Sequence, residues 1–97
     1  MKKLADFKRA LVLGSKWRAY NEDCGDLGVR EVEKLQKESV CFKTEQGKTS
    51  WLQFPKATEF EINSKGQALI YWAATYTYNG VDRVEIPRKL ILTYTKI

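Results

Sequence analysis

The chain predicts a mainly β domain of α+β type: a short N-terminal helix followed by a small antiparallel β-barrel or meander of about six to eight strands. Three observations predict it. Apolar and polar residues alternate in short runs from Lys16 to Ile97. Turn signals separate those runs at roughly ten-residue spacing. Helical spacing is confined to the opening of the chain. The 97 residues fit one domain, with the helix in 1–14 and the sheet in 15–97. At 43% hydrophobic and 12% aromatic, with six Gly and two Pro, the chain can fill one modest core and is not low-complexity.

The helix is read over residues 3–13, where Leu4, Phe7 and Leu11 form one apolar stripe. Gly14 stands where a left-handed C-terminal cap would be. So short a helix must dock on something. Residues 16–20 are the first strand, with Trp17 and Ala19 inward. Residues 21–28 read as a polar loop. Val29, Val32 and Leu35 are spaced by three, which fits a bulged strand or a helical turn. Lys37-Glu38 is a tight turn. Residues 39–44 alternate, with Val40 and Phe42 inward, and Gln46-Gly47-Lys48 turns the chain back into residues 49–54. Trp51, Leu52 and Phe54 are available there for burial, and Pro55 ends that strand or places it at an edge. Thr58 to Ile62 offers Phe60 and Ile62 inward, and residues 63–66 (Asn-Ser-Lys-Gly) are a turn. Gln67 to Tyr78 reads as one long strand, apolar on both faces at its start and therefore central there. Asn79-Gly80 is the sharpest hairpin signal, Val81 to Ile86 the return arm, Pro87 a break, and Lys89 to Ile97 the closing strand. Closure into a small barrel plugged by the helix would protect the sheet edges. Trp17, Trp51 and Trp72 are expected in the core or at its rim.

The chemistry that the composition excludes is extensive. No histidine is present, which removes the usual neutral-pH acid/base group, His-activated nucleophiles and His-containing zinc sites. Cys24 and Cys41 are too few for a structural zinc site. They read as free thiols of a reducing compartment, with a single bridge as the alternative. No glycine-rich phosphate loop occurs. The acidic run Glu22-Asp23-Cys24-Gly25-Asp26 fits no calcium-loop pattern and reads as a solvated loop. Glu59 and Glu61 fall on one strand face, the wet one. No apolar run reaches the ~20 residues of a membrane span. Asp6, Lys8 and Arg9 interrupt any signal-peptide core after the basic opening. The expectation is a chain without catalytic residues, metal or cofactor.

Two surfaces qualify for binding. The net charge of +5 arises in residues 1–18, where Lys2, Lys3, Lys8, Arg9, Lys16 and Arg18 face Asp6 alone. Such a field favours nucleic acid or an acidic protein face, or is ordinary solubility charge. The second surface surrounds the Asn79-Gly80 turn, where Tyr76 and Tyr78 precede Arg83 and Arg88. Aromatics interleaved with arginine suit base stacking with phosphate pairing, and equally suit protein-binding anchors. They are also ordinary strand formers.

The runs Leu27-Gly28-Val29-Arg30-Glu31-Val32 and Ser50-Trp51-Leu52-Gln53-Phe54-Pro55-Lys56-Ala57 resemble small bacteriophage- and prophage-encoded proteins. So do the opening residues 1–11 and the closing Leu92-Thr93-Tyr94-Thr95. The resemblance implies a bacterial cytosol and an accessory role in host takeover or defence evasion. It carries no defined functional residue. The expected function is a non-enzymatic binding module acting on a host protein as adaptor or inhibitor. Nucleic-acid binding is the alternative, and homodimerisation through edge strands is open.

Overall fold

A computed structural model of the chain describes residues 3–56 and 59–97. Lys2 and Thr58, which enter the expectations above, lie outside the described residues. One short helix, α1 (Leu4–Ala10), precedes nine strands: β1 (Lys16–Asn21), β2 (Gly25–Leu35), β3 (Ser39–Lys43), β4 (Thr49–Gln53), β5 (Phe60–Ile62), β6 (Ala68–Trp72), β7 (Thr75–Asn79), β8 (Asp82–Ile86) and β9 (Lys89–Lys96). Seven strands form a curled antiparallel sheet, a half-barrel, in the order β4-β3-β2-β1-β9-β6-β5. Among the described residues, β7 and β8 pair only with each other.

The mainly β class with a leading helix is as the sequence predicts, and the core is built around that helix. Phe7 and Leu11 are fully buried, and Leu4 and Ala10 pack against the same cluster. The Phe7 ring meets Trp17 of β1 edge-on at 5.4 Å, stacks on Phe60 of β5 at 5.3 Å, and lies 6.2 Å from Tyr94 of β9. Tyr94 in turn stacks on Phe42 of β3 at 5.5 Å. One continuous aromatic cluster therefore crosses the concave side, where offset and edge contacts add to area burial. The buried indole N–H of Trp17 donates to the Ser15 hydroxyl at 3.0 Å, which satisfies that donor.

The barrel does not close, and the helix explains why. The edge strands are β4 and β5. α1 touches the β5 side through Phe7 on Phe60, and the β4 side through the Lys8 ammonium, 4.8 Å over the Phe54 ring. It occupies the space that strand-to-strand closure would need.

Local differences from the sequence reading have local causes. The helix stops at Ala10 rather than continuing to residue 13. Gly14 N–H donates to the Val32 carbonyl and Val32 N–H to the Ser15 carbonyl, so the β2 ladder captures the chain before another helical turn forms. Val12 and Leu13 are left exposed. The loop after β1 is shorter than the stretch 21–28, because residues 25–28 already pair with β1. Gly28, at φ +82°, makes this possible: a Cβ there would lie 3.1 Å from the Glu45 carboxylate, which accepts a 2.7 Å hydrogen bond from Val29 N–H. The three-residue spacing along β2 proves to be a bulged strand, with a register shift between Val32 and Lys34.

Trp51 and Trp72 are 51% and 60% exposed, so only Trp17 among the tryptophans enters the core. Trp51 alternates with the buried Leu52, because consecutive strand residues point to opposite faces of the sheet. β4 ends before Pro55 and lies at the sheet edge, as proline requires.

The long strand read from Gln67 to Tyr78 is two strands. β6 pairs with β9 up to Trp72↔Lys89, and β7 pairs with β8 from Thr75↔Ile86. Ala73-Ala74 thus stand opposite Pro87-Arg88. Proline has no N–H to give the ladder, and two alanines bring little to bury, so both strands break at the same level. Residues 73–88 are in effect an insertion in the β6–β9 hairpin. Every residue from Trp72 to Lys89 is exposed. This arm gives the molecule extents of 50 × 29 × 26 Å and a radius of gyration of 15.0 Å. A compact chain of this length would have a radius of about 12–13 Å.

Phe7→Ala should cost about 3–5 kcal/mol in urea unfolding, because the cavity would lie where three strands meet. Trp51→Ala, which removes a half-exposed ring, should cost less than about 1 kcal/mol.

Candidate functional site

The β7–β8 arm is closed by the two-residue loop Gly80-Val81, between the paired Asn79 and Asp82. Gly80 has φ +73°, and among the described residues only glycines have a positive φ. Positive φ at the first loop residue alone is the sign pattern of a II′ turn, whose twist matches that of the strands. The register places Tyr76 opposite Glu85 and Tyr78 opposite Arg83, on one face. Thr75, Thr77, Val84 and Ile86 occupy the other.

The first face is organised. Tyr76 and Tyr78 meet edge-on at 5.8 Å, and the Arg83 guanidinium lies 4.0 Å from the Tyr76 ring centre. Tyr76 is 49% and Tyr78 63% exposed. The rings are thus braced against each other and against the guanidinium while their outer surfaces stay open. The second face exposes Val84 and Ile86, and Val81 stands out at the tip. Trp72 is exposed at the root. These four apolar residues were not among the binding residues expected from sequence. The signal for them was the alternation of Val84 and Ile86 across from two threonines after the turn.

Arg88 belongs to the root rather than to the Tyr76 cluster. Its guanidinium lies 3.7 Å from the Tyr71 ring centre and pairs with Glu61 at 2.9 Å. Tyr71 hydroxyl donates to the same carboxylate at 3.3 Å. The Arg88 hydrogen bond holds the Glu61 carboxyl below the usual carboxylate range, against a smaller opposing effect of desolvation. Desolvation and the adjoining Glu61 carboxylate push the Tyr71 phenol up. Lys89 pairs with Asp23 at 3.2 Å. These contacts tie the start of β9 to β5, β6 and the turn after β1, and so fix where the arm leaves the sheet.

The basic N-terminal residues do not form one surface. Lys3, Lys8 and Arg9 are on or next to α1, on the concave side of the sheet. Arg9 is bonded to Asp6, whose other carboxylate oxygen accepts Lys3 N–H at 3.0 Å. Lys16 and Arg18 alternate with the inward Trp17 and Ala19, so they face the convex side. Arg18 pairs with Asp26 at 2.7 Å. Two carboxylates of the acidic run, Asp23 and Asp26, are thus engaged in ion pairs.

Little else offers chemistry. No group of three or more metal-ligating side chains occurs among the described residues. Both cysteines are free: Cys24 is exposed, and Cys41 is buried, with its thiol pushed up by burial and by the Glu33 carboxylate. Arg30 lies on the concave side, where it donates to the Ser50 hydroxyl at 3.0 Å and faces Tyr94, whose phenol is raised by burial. No helix among the described residues is long and apolar enough to cross a membrane. No protein-family model, curated protein or solved structure matches the chain.

The root contacts have a pH signature. Glu61 has a folded-state pKa below its unfolded value, so its stabilising effect is complete above the unfolded pKa and is lost as pH falls through the folded one. Glu61→Gln should lower the thermal midpoint near neutral pH, and the difference from wild type should vanish well below about pH 4. Thermal unfolding of both proteins across that range checks it.

Proposed function

We propose that the chain is a non-enzymatic binding module, of bacteriophage or prophage origin, that acts in the bacterial cytosol on a host protein as adaptor or inhibitor. The observation that carries this reading is the arm: Tyr76, Tyr78 and Arg83 stand exposed and pre-ordered on a projecting hairpin that the chain's own fold leaves uncovered. Tyr, Trp and Arg dominate binding hot spots because they offer large contact area and polar handles at low entropic cost. Bracing of the two rings reduces the ordering that a partner must impose. The lack of histidine and of clustered metal ligands among the described residues adds support for a binding role.

Nucleic-acid binding is the second reading, favoured by the guanidinium stacked on Tyr76, which suits an unpaired base. It ranks lower because the basic N-terminal side chains divide between the two sides of the sheet, and Arg9 and Arg18 already have carboxylate partners.

Capture of a host protein on the tagged chain, with and without nuclease, separates the readings. For a host protein captured in the presence of nuclease, Tyr76→Ala or Tyr78→Ala should weaken binding by roughly thirtyfold. Charge reversal at Lys8 and Arg9 should leave it nearly unchanged. Binding that is nuclease-sensitive and lost on reversal at Lys8 and Arg9 would refute the protein-partner reading.

A further inference from the structure

We infer that the free edge of β8 pairs with β8 of a second copy of this chain, joining two arms into one sheet of order β7-β8-β8-β7. The inference uses the backbone edge of the same arm and shares Arg83 with the host-protein reading, but it does not depend on that reading. Two-stranded hairpins are marginal in water, and a third strand or a covering layer is what makes them persist. Among the described residues this arm has neither.

The hairpin geometry limits which pairings are open. Asn79 and Asp82 flank a two-residue loop and so form a hydrogen-bonded pair, after which the two pair types alternate along the ladder. Asp82, Val84 and Ile86 therefore direct their backbone groups to β7. Arg83 and Glu85 direct theirs to the free edge. An antiparallel partner must meet those outward groups with outward groups of its own.

Two identical β8 edges can satisfy this in three registers. Arg83 opposite Arg83 sets like charges together. Glu85 opposite Glu85 does the same, and also brings Pro87, which has no N–H, opposite Arg83. The third register sets Arg83 opposite Glu85 of the second copy, and Glu85 opposite its Arg83, with Val84 facing Val84 on the two-fold axis. Each Arg83–Glu85 pair then exchanges both backbone hydrogen bonds and adds an opposite-charge side-chain contact. Parallel pairing in register would again oppose like charges. The charges on β8 thus reject other registers, in the manner of edge strands that resist promiscuous pairing, and accept one isologous contact. The β7 edge carries no charge, so nothing there selects a register.

The resulting sheet would present two copies of the Tyr76–Tyr78 cluster on one face. The test is sedimentation of the full-length chain across a micromolar concentration series. Wild type is expected to be dimeric. Arg83→Glu and Glu85→Arg should each weaken the dimer by about tenfold or more, because each turns both symmetry-related contacts repulsive. The double variant Arg83→Glu/Glu85→Arg should restore it, which a folding defect would not do. A monomeric wild type, a dimer unmoved by the single reversals, or a double variant no tighter than the singles would each overturn the inference. A monomer that still captures its host protein through Tyr76 and Tyr78 would leave the binding reading intact. A dimer that captures nothing would leave only the pairing.

Discussion

The structure depends on the burial of Phe7. A seven-stranded antiparallel sheet that curls without closing has one apolar face and nothing to cover it, and α1 is the only α-helix among the described residues. Phe7 reaches Trp17, Phe60 and Tyr94, which stand on three different strands, and Tyr94 extends the contact to Phe42 on a fourth. The helix is seven residues long and would not persist alone. The sheet orders the helix, and the helix covers the sheet.

This division leaves the convex side and the arm without a share in the core. On the convex side the solution is charge: Arg18 with Asp26, and the Lys16, Glu31 and Lys43 alternation across three paired strands. On the arm the solution is partial. Exposed ion pairs contribute little to stability in water, so the root contacts of Arg88 and Lys89 position the arm more than they stabilise it. Its aromatic and β-branched residues remain in contact with solvent. A surface of that kind, kept on an element that adds nothing to the core, is what supports the proposed binding role.

Much of this architecture was legible in the residues. The Leu4, Phe7, Leu11 stripe, the inward Trp17 and Ala19, the Val40 and Phe42 pair, the edge position announced by Pro55 and the Asn79-Gly80 region all follow from local periodicity and turn chemistry. What was not legible depended on pairing. Alternation runs unbroken from Gln67 to Tyr78, and only the identity of the opposite strand reveals that the ladder changes partner at Ala73-Ala74. Likewise, six cations close together in sequence look like one patch, whereas strand alternation and the helix send the five described ones to opposite sides. Pro87 was the clue to the first, since a break in one arm of a hairpin implies a break in the other. Nothing local could have shown that Arg88 stacks on Tyr71 seventeen positions earlier in the chain.

The core and the arm are separable elements, and the proposed binding role rests on the arm. Since Trp72 and Lys89 are already paired neighbours, residues 73–88 can be replaced by Asn-Gly, leaving β6 and β9 joined by a tight hairpin. The measurement is chemical unfolding of this shortened chain together with capture of the proposed host protein. The account predicts a cooperative transition within about 2 kcal/mol of wild type, the excised residues having buried little, and complete loss of capture. A shortened chain that fails to fold, or one that folds and still holds the partner, would contradict it.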